Sequence, residues 1–167
     1  MRHAFTKPGF IFVLLTVLVV LPIGIDASPS KTFGIRAGAG IDPDQFAFGL
    51  HGRIGELVSN VLLAPSADVG FGESLTIFTG NLDLLVPLSP PDSRSALYLG
   101  GGPTLAHLNP EFGDGDTELG VSLVAGVKLP FGRSHHWTIE GRYGIGDIPE
   151  LRFMLGILFG SQPRSNR

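Results

Sequence analysis

Hydrophobic residues recur at every second position over most of the chain, the period of a strand with two distinct faces. From Thr117 to Phe131, one face carries Leu119, Val121, Leu123, Ala125, Val127, Leu129 and Phe131. The other carries Glu118, Gly120, Ser122, Val124, Gly126 and Lys128. Leu151, Phe153, Leu155, Ile157 and Phe159 oppose Arg152, Met154, Gly156 and Leu158. Trp137, Ile139, Tyr143 and Ile145 oppose Thr138, Glu140, Arg142 and Gly144. Near the front, Phe33, Ile35, Ala37, Ala39 and Ile41 oppose Gly34, Arg36, Gly38 and Gly40, and Phe46, Phe48 and Leu50 oppose Gln45, Ala47, Gly49 and His51. Val61–Phe71 and Leu75–Leu88 alternate in the same way, with Ser66, Asp68, Asn81 and Asp83 on their polar faces. Ala96–Leu108 is less regular because Gly100, Gly101 and Gly102 blur the pattern. The spacing predicts eight strands.

The connections predicted between them are turn-like: Asp42–Asp44, Arg53–Glu56, Gly72–Ser74, Ser89–Arg94, Asn109–Asp116, Gly132–Ser134 and Gly146–Pro149. They carry the Gly, Pro, Asp and Asn of hairpin loops. Short consecutive connections imply an antiparallel up-and-down meander.

The first 27 residues follow a different rule. Arg2 and Lys7 give a basic start, Phe10–Leu21 an apolar core broken at Pro22, and Ile25-Asp26-Ala27 a small-residue cleavage site before Ser28. This is the pattern of a cleavable signal peptide, with a core too short for a spanning helix. The expected organisation is a signal peptide over 1–27, a barrel domain over 28–160 and a short polar tail over 161–167. Beyond the leader no apolar run is long enough to cross a bilayer as a helix.

Composition narrows the class. Of 167 residues, 24 are glycine, none is cysteine, and only 16% are charged. Soluble domains usually carry about 25% charged residues. Mean hydropathy is +0.29. Disordered chains are polar and highly charged, which excludes that class. The net charge of −3, becoming −4 once the leader removes Arg2, Lys7 and Asp26, excludes nucleic-acid binding. Without cysteine there is neither a disulfide framework nor a thiolate metal site.

The nature of the second face decides the fold. A water-facing side would carry many Lys and Glu residues; here it is mostly glycine with about one charge per strand. The first face is a nearly pure band of Phe, Leu, Val and Ile. Apolar outside and polar inside is the arrangement of a membrane barrel. Eight strands leave an interior just filled by side chains, which gives the glycines a role. The predicted fold is therefore all-β, an eight-stranded antiparallel up-and-down transmembrane β-barrel. Arg36, Arg53, Lys128, Arg142 and Arg152 would meet Asp68, Asp83, Glu118 and Glu140 in an internal ion-pair network, because buried charges require partners. Phe33, Phe46, Phe71, Trp137, Tyr143 and Phe159 sit near strand ends, as interfacial aromatic girdles do.

With these features the sequence resembles the small eight-stranded outer-membrane β-barrel proteins of Gram-negative bacteria, the OmpA-like and OmpX-like transmembrane barrels. The resemblance covers about residues 33–160. It rests on the leader, Asp68-Val69-Gly70-Phe71-Gly72, Tyr98-Leu99-Gly100-Gly101-Gly102-Pro103, Glu140-Gly141-Arg142-Tyr143-Gly144 and the closing Leu155-Gly156-Ile157-Leu158-Phe159. The closing strand resembles the signal read by the outer-membrane assembly machinery. The tail Gly160–Arg167 departs from the family, where the aromatic is often the last residue. The resemblance implies outer-membrane localisation, contact with outer-membrane lipid and no cofactor.

Candidate chemistry is sparse. His135 and His136 are adjacent on a strand and point to opposite faces, so they do not chelate one metal. His136, Thr138 and Glu140 share a face and are similar to the triad of lipid A deacylase barrels, but threonine replaces serine and the wider motif is missing. Asp114-Gly115-Asp116-Thr117-Glu118 resembles part of a calcium loop without its glycine and final bidentate glutamate. No helix follows Gly100–Gly102 to supply a phosphate site. The expectation is a monomeric, non-enzymatic barrel without an open pore, with a structural or interaction role, binding no metal. Both termini would face the periplasm. The alternatives are a secreted soluble barrel that binds a small apolar ligand, with its apolar face inside, and a lipid-modifying barrel enzyme.

Overall fold

In the computed structural model the described residues are 31–58, 60–90, 95–132 and 134–160. The leader 1–27 and the tail 161–167 lie outside them. Nine strands follow in order: β1 Thr32–Ile41, β2 Gln45–Arg53, β3 Gly55–Val58, β4 Val61–Gly72, β5 Leu75–Pro87, β6 Ala96–Pro110, β7 Asp116–Phe131, β8 His135–Ile145 and β9 Leu151–Phe159. All neighbouring pairs are antiparallel. The sheet runs from β2 through β1, β9, β8, β7, β6, β5 and β4 to β3, and β2 also pairs with β4. That last pairing closes the cylinder. Strands β2 and β3 are one wall strand interrupted at Ile54, whose N–H still donates to the Leu63 carbonyl at 2.9 Å. The barrel therefore has eight walls.

This interruption corrects one expectation. The sequence predicts a turn over Arg53–Glu56, yet Gly55 pairs with Leu63 and the chain reverses only between Val58 and Val61. Gly55 has φ +139°, and the register shifts between Glu56 and Val58. A glycine there marks an irregular strand rather than its end. The reversal instead uses Asn60 at φ +66°, a left-handed conformation that asparagine tolerates.

Burial is inverted relative to a water-soluble protein. Among the described residues, 27 large apolar side chains are exposed, while 15 polar or charged ones are buried against 11 apolar ones. The exposed set is the alternating face: Phe33, Ile35, Phe46, Phe48, Leu50, Leu123, Ile139, Phe153 and Leu155 all point outward. An exterior of this kind is stable only against hydrocarbon. The alternative of a soluble barrel with an apolar pocket is thereby overturned, because the apolar face is outside. At the end that carries the chain termini, Phe33 meets Phe159 at 5.8 Å and Phe131 meets Trp137 at 5.4 Å. Phe46, Phe71 and Tyr143 lie toward the opposite, far end.

The interior is layered. Toward the terminal end, Ala64, Leu85, Tyr98 and Val124 form an apolar cluster backed by Leu62. Toward the far end, Ile77, Ala106 and Ile148 form a second one, backed by Leu75 and Leu108. Ile148 belongs to the β8–β9 connection, which folds inward: Glu150 N–H donates to the Asp42 carbonyl at 3.1 Å, and Gly144 N–H to the Glu150 carbonyl at 2.6 Å. The hydrogen-bonded cluster around Arg36, Asp68, Asp83, Glu140 and Arg142 lies between these two layers.

Candidate functional site: the polar layer of the barrel interior

Seven of the eight walls contribute hydrogen-bonded side chains to the polar layer, because each strand turns one residue in two toward the axis. Its centre is Arg36. The guanidinium donates from Nε to Asp68 Oδ1 at 2.7 Å and from Nη2 to Asp68 Oδ2 at 2.7 Å, a bidentate pair. Nη1 donates to Glu140 Oε2 at 2.8 Å, and Nη2 also reaches Ser66 Oγ at 2.8 Å. Arg36 and Asp68 lie two walls apart, on β1 and β4. Gly49 on β2 is the register partner of both. A Cβ at Gly49 would fall 2.0 Å from Asp68 Oδ1, so the contact requires glycine between them.

A second bidentate pair joins Arg142 on β8 to Asp83 on β5, at 3.1 and 2.6 Å. Asn81 Oδ1 accepts from Arg142 Nη1 at 3.3 Å and from Thr104 Oγ1 at 2.9 Å. Thr104 and Ser122 are 2.6 Å apart. Arg152 donates to Thr79 Oγ1 at 2.8 Å and lies 3.6 Å from Asp68 Oδ2. The Tyr98 hydroxyl donates to Glu140 Oε1 at 2.8 Å. The Tyr98 ring lies over Gly126, where a Cβ would fall 2.5 Å from the phenol oxygen. Charges this deeply buried hold together only when hydrogen-bonded and paired.

The structure thus brings together six of the nine charged residues named from the sequence: Arg36, Asp68, Asp83, Glu140, Arg142 and Arg152. It separates the other three. Glu118 sits near the far end of β7 and Lys128 near the terminal end of the same strand, ten residues or about 34 Å apart at strand rise. Arg53 stacks on the Tyr98 ring, with its guanidinium carbon 4.5 Å from the centroid. Among the described residues none of these three forms an ion pair. The alternation puts Ser66, Thr79, Asn81 and Ser122 on polar faces, but a network predicted from charge alone omits them, together with Tyr98 and Thr104. The available signal was parity, since Thr79 and Asn81 share a face with Asp83.

The chemical alternatives find little support in this geometry. His136, Thr138 and Glu140 do face inward together. Both Glu140 oxygens, however, are taken by Arg36 and Tyr98, and no described hydrogen bond joins the three residues. His135 points outward, its ring edge-on to Phe159 at 5.3 Å. In the Asp114–Glu118 segment, Asp116 Oδ1 accepts from the Thr117 backbone N–H, and Thr117 Oγ1 lies 2.8 Å from His107 Nδ1. Among the described residues no group of three or more His, Asp or Glu is placed to hold a metal.

No family model matches the chain, and no curated protein matches it in sequence. Solved structures do match in fold. The N-terminal β-barrel domain of Pseudomonas aeruginosa OprF superposes with a TM-score of 0.64 at 17% identity, covering 81% of this chain and 99% of that one. Neisserial surface protein A gives 0.60 at 11% identity, over 78% and 95%. A de novo designed transmembrane β-barrel gives 0.56 at 11% identity, over 81% and 99%. At these identities the likeness is one of architecture, and it joins the inverted surface and the closed eight-walled sheet in one conclusion: in fold, this chain is a closed eight-stranded antiparallel β-barrel like those of small outer-membrane proteins.

Proposed function

We propose that the protein is an integral outer-membrane barrel with a structural or interaction role, neither an enzyme nor an open pore. The inverted surface carries this reading: an outward face of Phe, Leu, Ile and Val around a charged interior suits a cylinder immersed in lipid. The absence of a pore is supported by the two apolar layers that bracket the polar one. Both termini would face the periplasm, with the connections after β1, β4, β6 and β8 outside. These are short, which argues against a large variable adhesive surface. Outer-membrane lipid and the assembly machinery are the expected partners of a monomer.

The test is cell fractionation combined with migration on a denaturing gel. The protein should appear in the outer-membrane fraction and migrate differently before and after boiling. Recovery as a soluble periplasmic protein would refute the reading.

A further inference from the structure

The interior charges do not balance. Three buried carboxylates, Asp68, Asp83 and Glu140, offer six oxygens, and all six are engaged by Arg36, Arg142 and Tyr98. None of the six is hydrogen-bonded or ion-paired to Arg53 among the described residues. Its side chain is nine-tenths buried and its Nη2 meets no acceptor among the described residues. A guanidinium held this way is costly unless an anion accompanies it.

The surroundings of Arg53 add one positive charge, that of Lys128, and one imidazole, that of His136. Its guanidinium lies on the Tyr98 ring, and Tyr98 is the register partner of Gly126. Lys128 is the next inward position on β7 toward the terminal end. His136 is inward on β8, opposite Pro130 and two pairs from Lys128. The Tyr98 ring and its partner Gly126 thus bring Arg53 beside the strand that carries Lys128. Lys128 and His136 are only partly buried, so this basic cluster opens to the terminal end. The small cavity bordered by Arg53, His51 and Ser66, about 10 Å³, lies at the lower limit for a single water and cannot hold an oxyanion. Lys128, which does not line that cavity, is the partly exposed cation of the group.

We infer that the terminal-end mouth of the barrel is an oxyanion site, in which Arg53, Lys128 and His136 bind a phosphate group. The planar fork of Arg53 suits two oxygens of one phosphate, and Lys128 supplies a point charge beside it. Free phosphate and the headgroup of an anionic phospholipid at the same rim share this chemistry.

The full mature chain refolded into phosphatidylcholine nanodiscs, titrated with inorganic phosphate against chloride at constant ionic strength, tests the free-anion source. Saturable binding by phosphorus NMR is expected. Loss of one charge-assisted hydrogen bond should weaken it roughly tenfold or more in Lys128→Gln and in Arg53→Gln. Asp114→Asn, at the far end, should bind as the wild type does. Lys128 is partly exposed, so its variant keeps the test valid where Arg53→Gln fails to fold. In the second arm, phosphatidylglycerol replaces part of the phosphatidylcholine and thermal unfolding is followed. Stabilisation that depends on Lys128, without binding of free phosphate, identifies the headgroup as the source. The proposal is overturned if wild type and Lys128→Gln respond alike in both arms.

Discussion

Removing the charge of Asp68 should destabilise the barrel more than any other single neutralising change in the polar layer. Asp68 accepts two hydrogen bonds from Arg36 at 2.7 Å, lies 3.4 Å from both Thr79 Oγ1 and Asn81 Nδ2, and 3.6 Å from Arg152. In Asp68→Asn the amide presents a donor to a guanidinium that also only donates. Arg36 keeps Glu140 and Ser66, but Arg152 keeps Thr79 alone. Breaking a buried pair by removing one partner costs about 3–5 kcal/mol, because the remaining charge stays desolvated. Losing an ordinary neutral hydrogen bond, as in Ser66→Ala, costs about 1 kcal/mol. Trp137, the chain's one tryptophan, lies near the terminal end and reports unfolding from lipid vesicles in urea. The double variant Arg142→Met with Asp83→Leu supplies the control: each is the other's one ion-pair partner among the described residues, so an apolar replacement of the whole pair should be less damaging than Asp68→Asn, since no orphan charge remains. A loss below about 1 kcal/mol for Asp68→Asn would show that water reaches the layer, and the account of a dry, paired interior would fail.

Three further changes probe the exterior, the packing and the far-end closure. Leu155→Arg, in the middle of β9 on the outer face, should cost about 2–4 kcal/mol in bilayers; a change within about 0.5 kcal/mol would indicate a water-facing position. Gly126→Val should drive Tyr98 off Glu140 and cost about 1–3 kcal/mol by overpacking, read as a lower urea midpoint; an unchanged midpoint would show that Tyr98 moves freely. Ile148→Ala should cost about 2 kcal/mol or more and admit protease to the β8–β9 connection, because the side chain fills space left by Gly120 and Gly144; proteolysis equal to wild type would refute its role as the far-end plug.

The walls were legible because lipid changes which face is apolar but not the period of two. Boundaries such as Leu151–Phe159 followed from that alternation. What periodicity leaves open is height along the axis. Glu118 and Lys128 share the inward parity of one strand, so the sequence placed both in a single network, although they lie near opposite ends of it. Gly55 shows a second limit: the same residue type marks a turn or an irregular strand, and only the pairing with Leu63 distinguishes them. No alternating pattern surrounds Ile148, so the sequence predicts a connection there, yet its side chain is buried in the far-end apolar layer.

Which charges meet is decided by hairpin length, a quantity the sequence does contain. The short β1–β2 turn sets Arg36 opposite Gly49, and closure of β2 onto β4 sets Gly49 opposite Asp68. A one-residue slip in either pairing would turn Asp68 or Arg36 toward lipid, where a charge near the midplane costs several kcal/mol. The lipid outside and the paired charge inside therefore select the same register. Glycine at position 49 completes the selection, since any side chain there would occupy the space of the Asp68 carboxylate. The inward glycines and the inward charges are parts of one device: some keep the lumen narrow enough for long side chains to span it, and the charges fix which strands face one another.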